Sequence, residues 1–257
     1  MKSSLVDGLL GYLKFGYDFD GIDFSLSTEE TLRKILEGDE DPSTVIATYI
    51  EEKGLSVPYD PSYPELGFYP GTRCLVNYFN IKDKHELKQI EILFSSIRIA
   101  ELFTKPLDMG FTFSYLKAIH QHIFGDLYPS AGMIREKSLE KKSEFCKAEY
   151  IETQAGEIFS KLSQMKFLSG IDDFDDFINE LAYFMGEIEA LHPFQDGNGR
   201  TTRFFFSDLA RRAGYDIIWN TVDVDKYLEA NIASIDGDYQ PLFSVLEESV
   251  IKRKDSE

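Results

Sequence analysis

The sequence predicts an all-α fold, a helical bundle with one small β-hairpin. Three observations carry this expectation. Apolar residues recur at helical spacing in several long segments. Between these segments lie short stretches of glycine, proline and acidic residues that start and stop helices. And 257 residues with 43% apolar and 28% charged content hold enough core for one large domain, or one domain plus a small appendage.

Residues 1–58 differ from the rest, being acidic and broken into short pieces. Ser27 and Glu30 make a capping-box pattern, the helix they open runs over 31–36, and Glu37-Gly38 is its stop. Asp41-Pro-Ser-Thr44 opens a second short helix through Glu52, ended by Gly54. Pro58-Tyr-Asp-Pro-Ser-Tyr-Pro64, with Tyr69-Pro-Gly71 just beyond, is a linker, and its aromatic residues imply that it lies against the domain.

Helices dominate after the linker. Leu87, Ile90, Phe94, Ile97 and Leu102 mark one over 83–103, and another covers 113–124. The stretch 130–147 has Gly132, mixed charges and no apolar stripe, so it reads as a loop and a small β-hairpin. A helix over 149–165 follows. The strongest stripe is Phe174, Phe177, Ile178, Leu181, Met185, Ile188 and Leu191 in 173–191, stopped by Pro193. A helix from near Arg200 carries Phe204, Phe205 and Leu209 to Gly214, and helices over 222–233 and 239–251 complete the set. Residues 252–257 form a frayed polar tail. The domain reading is therefore 1–58, 59–251 and a tail 252–257, without internal repeats.

The net charge of -18 argues against nucleic acid as a partner, because so acidic a surface repels phosphate backbones. It leaves room for ATP, which needs only a local cluster of donors and a metal ion. Cys74 and Cys146 lie far apart and form no metal-ligand pattern, which suits a reducing compartment. Asp7 spoils the amino terminus as a signal peptide, and no apolar run is long enough to cross a membrane. The expectation is a soluble, cytoplasmic protein; delivery into another cell would leave no mark in this sequence.

The stretch from Leu191 to Arg203 carries the chemistry. An amphipathic helix ends at His192, a loop follows with Asp196, Gly197, Asn198 and Gly199, and a new helix opens with Arg200 and Arg203 in its first turn. Arginines there oppose the helix dipole, so an anion between them would make the arrangement favourable. Glycine turns entering a helix are phosphate cradles, since backbone N–H groups converge with no Cβ in the way. Asp196 would repel a phosphate unless a divalent cation sits between them, and Mg2+ favours one or two carboxylates plus phosphate oxygens. A histidine can take a proton at neutral pH, so His192 suits a base. Singly, each feature has a plainer explanation: a capping histidine, a solvated arginine pair, a turn. The plain explanations leave the first-turn arginines without a reason. Together the residues fit nucleotidyl or phosphoryl transfer.

His192-Pro-Phe-Gln-Asp-Gly-Asn-Gly-Arg200 resembles the full signature of the Fic family, and Arg203 matches the second arginine that commonly follows it. The resemblance extends over roughly 69–251, through Tyr69-Pro-Gly-Thr72, the helix at 86–102, Ala131-Gly-Met-Ile-Arg135 and Asp236-Gly-Asp-Tyr-Gln-Pro-Leu242. It implies an all-α Fic fold and protein AMPylation: transfer of AMP from ATP to a tyrosine, threonine or serine hydroxyl of a target protein, with release of pyrophosphate. His192 would deprotonate the hydroxyl. Asp196 would hold Mg2+ on the ATP phosphates. Gly197, Asn198 and Gly199 would form the anion hole, and Arg200 and Arg203 would grip the phosphates. Residues 137–147 would be the flap, which pairs with an extended segment of the target. Doc-type relatives carry lysine where Gly199 stands, so Gly199 favours AMP over phosphate transfer; UMP or phosphocholine transfer is a rarer alternative.

The segment Leu36-Glu-Gly-Asp-Glu-Asp-Pro42 resembles the small antitoxins that inhibit Fic toxins. Their motif is serine or threonine, three residues, glutamate, then glycine or asparagine. Glu37-Gly38 matches its end, which implies an inhibitory Glu37…Arg203 ion pair; Arg33 stands where the motif has serine or threonine. Thr48…Glu52 and Ser244…Glu248 share the spacing but continue into Lys53 and Ser249. Two other functions are weighed against AMPylation. One is a catalytically weak partner in a toxin–antitoxin complex. The other is removal of AMP from proteins with the help of Glu37.

Overall fold

The computed structural model describes residues 3–55, 60, 62–63, 66–137 and 145–253. Among these, ten α-helices, three short 3-10 helices and one two-stranded antiparallel sheet make up the regular structure, the all-α class that the sequence predicts. The chain forms two compact units, Met1–Asp108 with His120–Met133, and Met109–Ile119 with Ile134–Glu257.

The first unit contains α1 (Ser3–Asp20), α2 (Leu26–Glu37), α3 (Pro42–Lys53) and α4 (Lys84–Thr104), with α1, α2 and α3 all packed on α4. The long α1 corrects the reading of the amino terminus as short pieces. Its glycines mask a helical stripe: Val6, Leu10, Leu13 and Tyr17 follow one another at intervals of three or four and are all buried. A second correction concerns the start of α2. Ser25 is the N-cap, accepting the Thr28 N–H at 3.1 Å, so the cap precedes Ser27 by two residues. Asp41 and Asp83 cap α3 and α4 in the same way, at 2.9 Å each. The 66–81 segment closes on itself around buried Asn77, whose side chain bonds the backbone of Leu75 and Ile81.

The second unit holds α6 (Ile151–Gln164), α7 (Phe174–Leu191), α8 (Asn198–Arg212), α9 (Val224–Ile235) and α10 (Gln240–Ser249), while α5 (Phe113–Phe124) begins in this unit and ends in the first. Helix α7 is central, packing against α6, α8, α9 and α10. Where α7 meets the later helices, Gly186 is needed for space: a Cβ there would stand 2.8 Å from the Tyr239 ring and 2.9 Å from the Ser234 Cβ.

Strands β1 (Tyr215–Ile217) and β2 (Val250–Lys252) pair antiparallel, Asp216 opposite Ile251. They correct two expectations. The last helix stops at Ser249 rather than at residue 251, and Lys252 belongs to a strand instead of a frayed tail. Of the loop and hairpin expected within 130–147, residues 138–144 lie outside the described residues, and 130–137 and 145–147 form no strand.

Helix α8 is buried on nearly every side, with Phe204, Phe205, Phe206 and Leu209 in the core. Its far end is tied down by buried Asp208. That carboxylate accepts from the Tyr115 hydroxyl at 2.8 Å and pairs with Arg211 at 2.8 Å and Arg212 at 2.7 Å. A buried charge so fully bonded is stable where an unpaired one would be costly.

Candidate active site

The site is the turn between α7 and α8. Helix α7 ends because Pro193 disfavours helical backbone at the residue before it. His192 instead takes a left-handed conformation, φ 42° and ψ 60°, while its N–H still bonds the Ile188 carbonyl at 3.1 Å. A residue with a Cβ held this way costs on the order of 1–3 kcal/mol and persists only where its surroundings enforce it. The enforcing groups are visible. The His192 carbonyl accepts from Arg135 Nε at 2.7 Å, and the Pro193 carbonyl accepts from the Arg135 backbone N–H at 2.9 Å. The imidazole is buried and stacks on the Phe145 ring, centroids 3.9 Å apart and planes 28° apart.

Phe194 is core. Its backbone is clasped by Asn198: the Phe194 N–H donates to Asn198 Oδ1 at 2.9 Å, and Asn198 Nδ2 donates to the Phe194 carbonyl at 2.8 Å. These paired bonds close the loop and set the first turn of α8. Helix α8 starts at Asn198, two residues before Arg200, with Gly197 as its cap in left-handed geometry at φ 77°. Glycine brings no side chain to cap the turn, and the first turn carries no acidic residue. The positive end of the helix is thus shaped for an external anion.

Arg200 and Arg203 are both buried at that end. A Cβ on Gly199 would stand 3.3 Å from Arg203 Nη1, so the Arg203 guanidinium folds back over the first turn of α8. Asp196 is exposed at the mouth of the turn, one carboxylate oxygen accepting the Gly197 N–H at 2.7 Å. Among the described residues no group of three or more His, Cys, Asp or Glu could hold a metal ion by itself. A single exposed carboxylate beside a glycine-capped helix start would fit Mg2+ only if phosphate oxygens and water supplied its remaining ligands.

One turn and the helix start after it therefore bring together His192, Asp196, Gly197, Asn198, Gly199, Arg200 and Arg203. Glu37 lies in the other unit, exposed on the last residue of α2, with Gly38 at φ 89° closing the helix behind it. Arg33 is engaged locally, bonded to Asp7 at 2.8 Å and Glu29 at 3.2 Å. Two residues at the site had not been singled out from sequence. Arg135 lies within the family-like string 131–135 and Phe145 within the flap stretch 137–147, but neither position has a role of its own in the sequence pattern. Burial pushes the Arg135 guanidinium pKa down from its ordinary value. Burial likewise raises the Cys146 thiol, with Arg135 pulling the other way.

Residues 110–210 match the model of the Fic/DOC family. The chain is 37% identical over 175 residues to the probable protein adenylyltransferase y4lH of Sinorhizobium fredii, covering 68% of this chain and 90% of that one. It is 30% identical over 190 residues to the probable protein adenylyltransferase Fic of Escherichia coli K12, covering 74% and 94%. Among solved structures, the BepC protein of Bartonella tribocorum with bound AMPPNP is similar in fold at a TM-score of 0.68 and 24% identity, covering 73% of this chain and 97% of that one.

Proposed function

We propose, from the premise that this chain belongs to the Fic/DOC family and is a protein adenylyltransferase, that His192 and the 196–203 turn transfer AMP from ATP to a tyrosine, threonine or serine hydroxyl of a target protein. The observation that supports this most is the convergence on one turn of a restrained imidazole, a glycine-capped helix start and two buried arginines. An imidazole withdrawn from water and stacked on Phe145 has few orientations open to it, which favours a base aimed at one proton.

His192 takes the proton of the target hydroxyl as the oxygen attacks the α-phosphorus of ATP. The bond to the β-phosphate oxygen breaks and pyrophosphate leaves. Charge grows on the phosphate oxygens in that step. The amides at the start of α8 with Arg200 and Arg203 are fixed before the reaction begins, so stabilising that charge requires little reorganisation. Asp196 would hold Mg2+, which when bound neutralises phosphate charge. Gly199 stands where Doc-type relatives carry lysine, which supports AMP rather than phosphate transfer. The target is expected to dock as an extended segment along the flap at 137–147, most of which lies outside the described residues.

The reading also includes a brake, with residues 1–58 as a regulatory segment and 59–251 as the transferase domain. Glu37 is exposed at a helix end, so its carboxylate is accessible to an arginine, and Arg203 is its proposed partner. Occupying Arg203 would deny the nucleotide one of its phosphate contacts. Labelled ATP tests the activity: protein labelling that disappears in His192→Ala supports the proposal, and labelling that survives this change rejects His192 as the base.

A further inference from the structure

We propose that Arg135 is a positioning residue that holds the His192 imidazole in its reactive orientation by bracing two backbone segments against each other. Arg135 is among the most deeply buried side chains of the chain, at 1% exposure. Its guanidinium donates to the carbonyls of His192 at 2.7 Å, Lys137 at 3.0 Å, Leu191 at 3.4 Å and Cys146. Its backbone N–H takes the Pro193 carbonyl as well.

These bonds form two sets. Leu191, His192 and Pro193 belong to the left-handed turn that carries the base. Cys146 follows Phe145, whose ring lies on the imidazole, and its N–H is anchored on the Ala190 carbonyl at 2.9 Å. One planar cation thus fixes the backbone beneath the imidazole and the backbone that brings a ring over it. A fork of donors in fixed geometry can do this; a lysine, with one flexible ammonium, cannot reach the same carbonyls together. The charge raises the strength of each bond, which suits a site that must keep a non-glycine residue left-handed.

This inference rests on His192 being the base, and the test separates the two. In the full chain, Arg135→Lys is expected to lower the rate of AMP self-labelling about 10- to 100-fold, the loss that follows from misplacing a reacting group by an ångström or so. The dissociation constant for AMPPNP is expected to change less than about twofold, because the contacts at the start of α8 remain. The His192 ring-proton resonances, assigned by their absence in His192→Asn, should move downfield as the shielding by Phe145 is lost. A purely structural role would weaken nucleotide binding together with rate. Phe145→Leu leaves the Arg135 bonds intact and covers the case where Arg135→Lys does not fold. It should shift the same resonances and lower the rate about tenfold at unchanged AMPPNP affinity. Unchanged His192 resonances in Arg135→Lys, or an unchanged rate in Phe145→Leu, overturns the proposal. Labelling that persists in His192→Ala overturns the base assignment instead.

Discussion

Helices α2 and α7 both end on a left-handed residue, but they reach it differently. At α2 the residue is Gly38, exposed, with φ 89° and with the Lys34 carbonyl accepting the N–H groups of Gly38 and Asp39. At α7 it is His192, buried, with φ 42° and a proline after it. The first is a helix end at its lowest energy, since glycine has no Cβ to clash. The second keeps an unfavourable backbone, and Arg135, Phe145 and Asn198 lie around it to enforce the geometry. Of these two helix ends, the one with the unfavourable backbone is the one that carries the proposed base. The contrast also fits the proposed division of labour between a fixed reaction site and a contact that must be able to release.

The largest expected effect is at His192. Asparagine tolerates the left-handed region, so His192→Asn should keep the turn while removing the base. Transfer is expected to fall about 10²- to 10⁴-fold, with the unfolding free energy changed by less than about 1 kcal/mol. Stopped-time labelling and a urea melt measure the two sides. A loss of stability as large as the loss of rate would mean that the imidazole is mainly a packing element.

Next comes the opposite helix end. Glu37→Gly should raise self-labelling about 5- to 150-fold, the range of an ordinary coupling between two sites, and leave the activity dependent on His192. An unchanged rate would reject Glu37 as a brake. Gly38→Ala is the smaller companion. It forces a Cβ into the left-handed region and should destabilise the chain by about 1–2 kcal/mol in a chemical melt. Little change would show that α2 can end in another conformation.

The smallest effect expected is a pH dependence near α4 and α5. The His122 Nε2–H donates to the Glu101 carboxylate at 3.1 Å, which favours the charged ring, but burial outweighs it and the pKa is lowered. The unfolded chain therefore takes up this proton first, near the ordinary value of about 6.5. Stability from this group is complete above that pH and is lost as pH falls below it, by at most about 1.4 kcal/mol per pH unit. His122→Gln should flatten the stability profile between pH 7 and 5 relative to the parent chain; an equal slope in both would contradict the assignment.

The same contrast explains what could be read in the sequence. Helix α7 announces itself because an apolar stripe, Phe177, Leu181, Ile188 and Leu191 among it, faces the core. Helix α1 was obscured by Gly8, Gly11 and Gly16, although Val6, Leu10 and Leu13 kept the spacing. The strand Val250–Lys252 was read as helix end and tail because three residues are too few for a period, and its partner Tyr215–Ile217 lies far back in the chain. At the site, the residues of the turn are contiguous and their chemistry shows in order. The left-handed backbone of His192 and the reach of Arg135 across 57 positions to its carbonyl are products of tertiary packing, which no local pattern encodes.

The most direct test of the central claim follows the two ends of ATP separately. The Glu37→Gly chain is incubated with ATP labelled on the α-phosphate or on the γ-phosphate, with and without His192→Asn. Label from the α-phosphate should become fixed to protein with pyrophosphate released in equal amount, γ-label should stay in solution, and His192→Asn should abolish the transfer. Protein that retains the γ-label, or α-label that transfers as well without His192, contradicts the account.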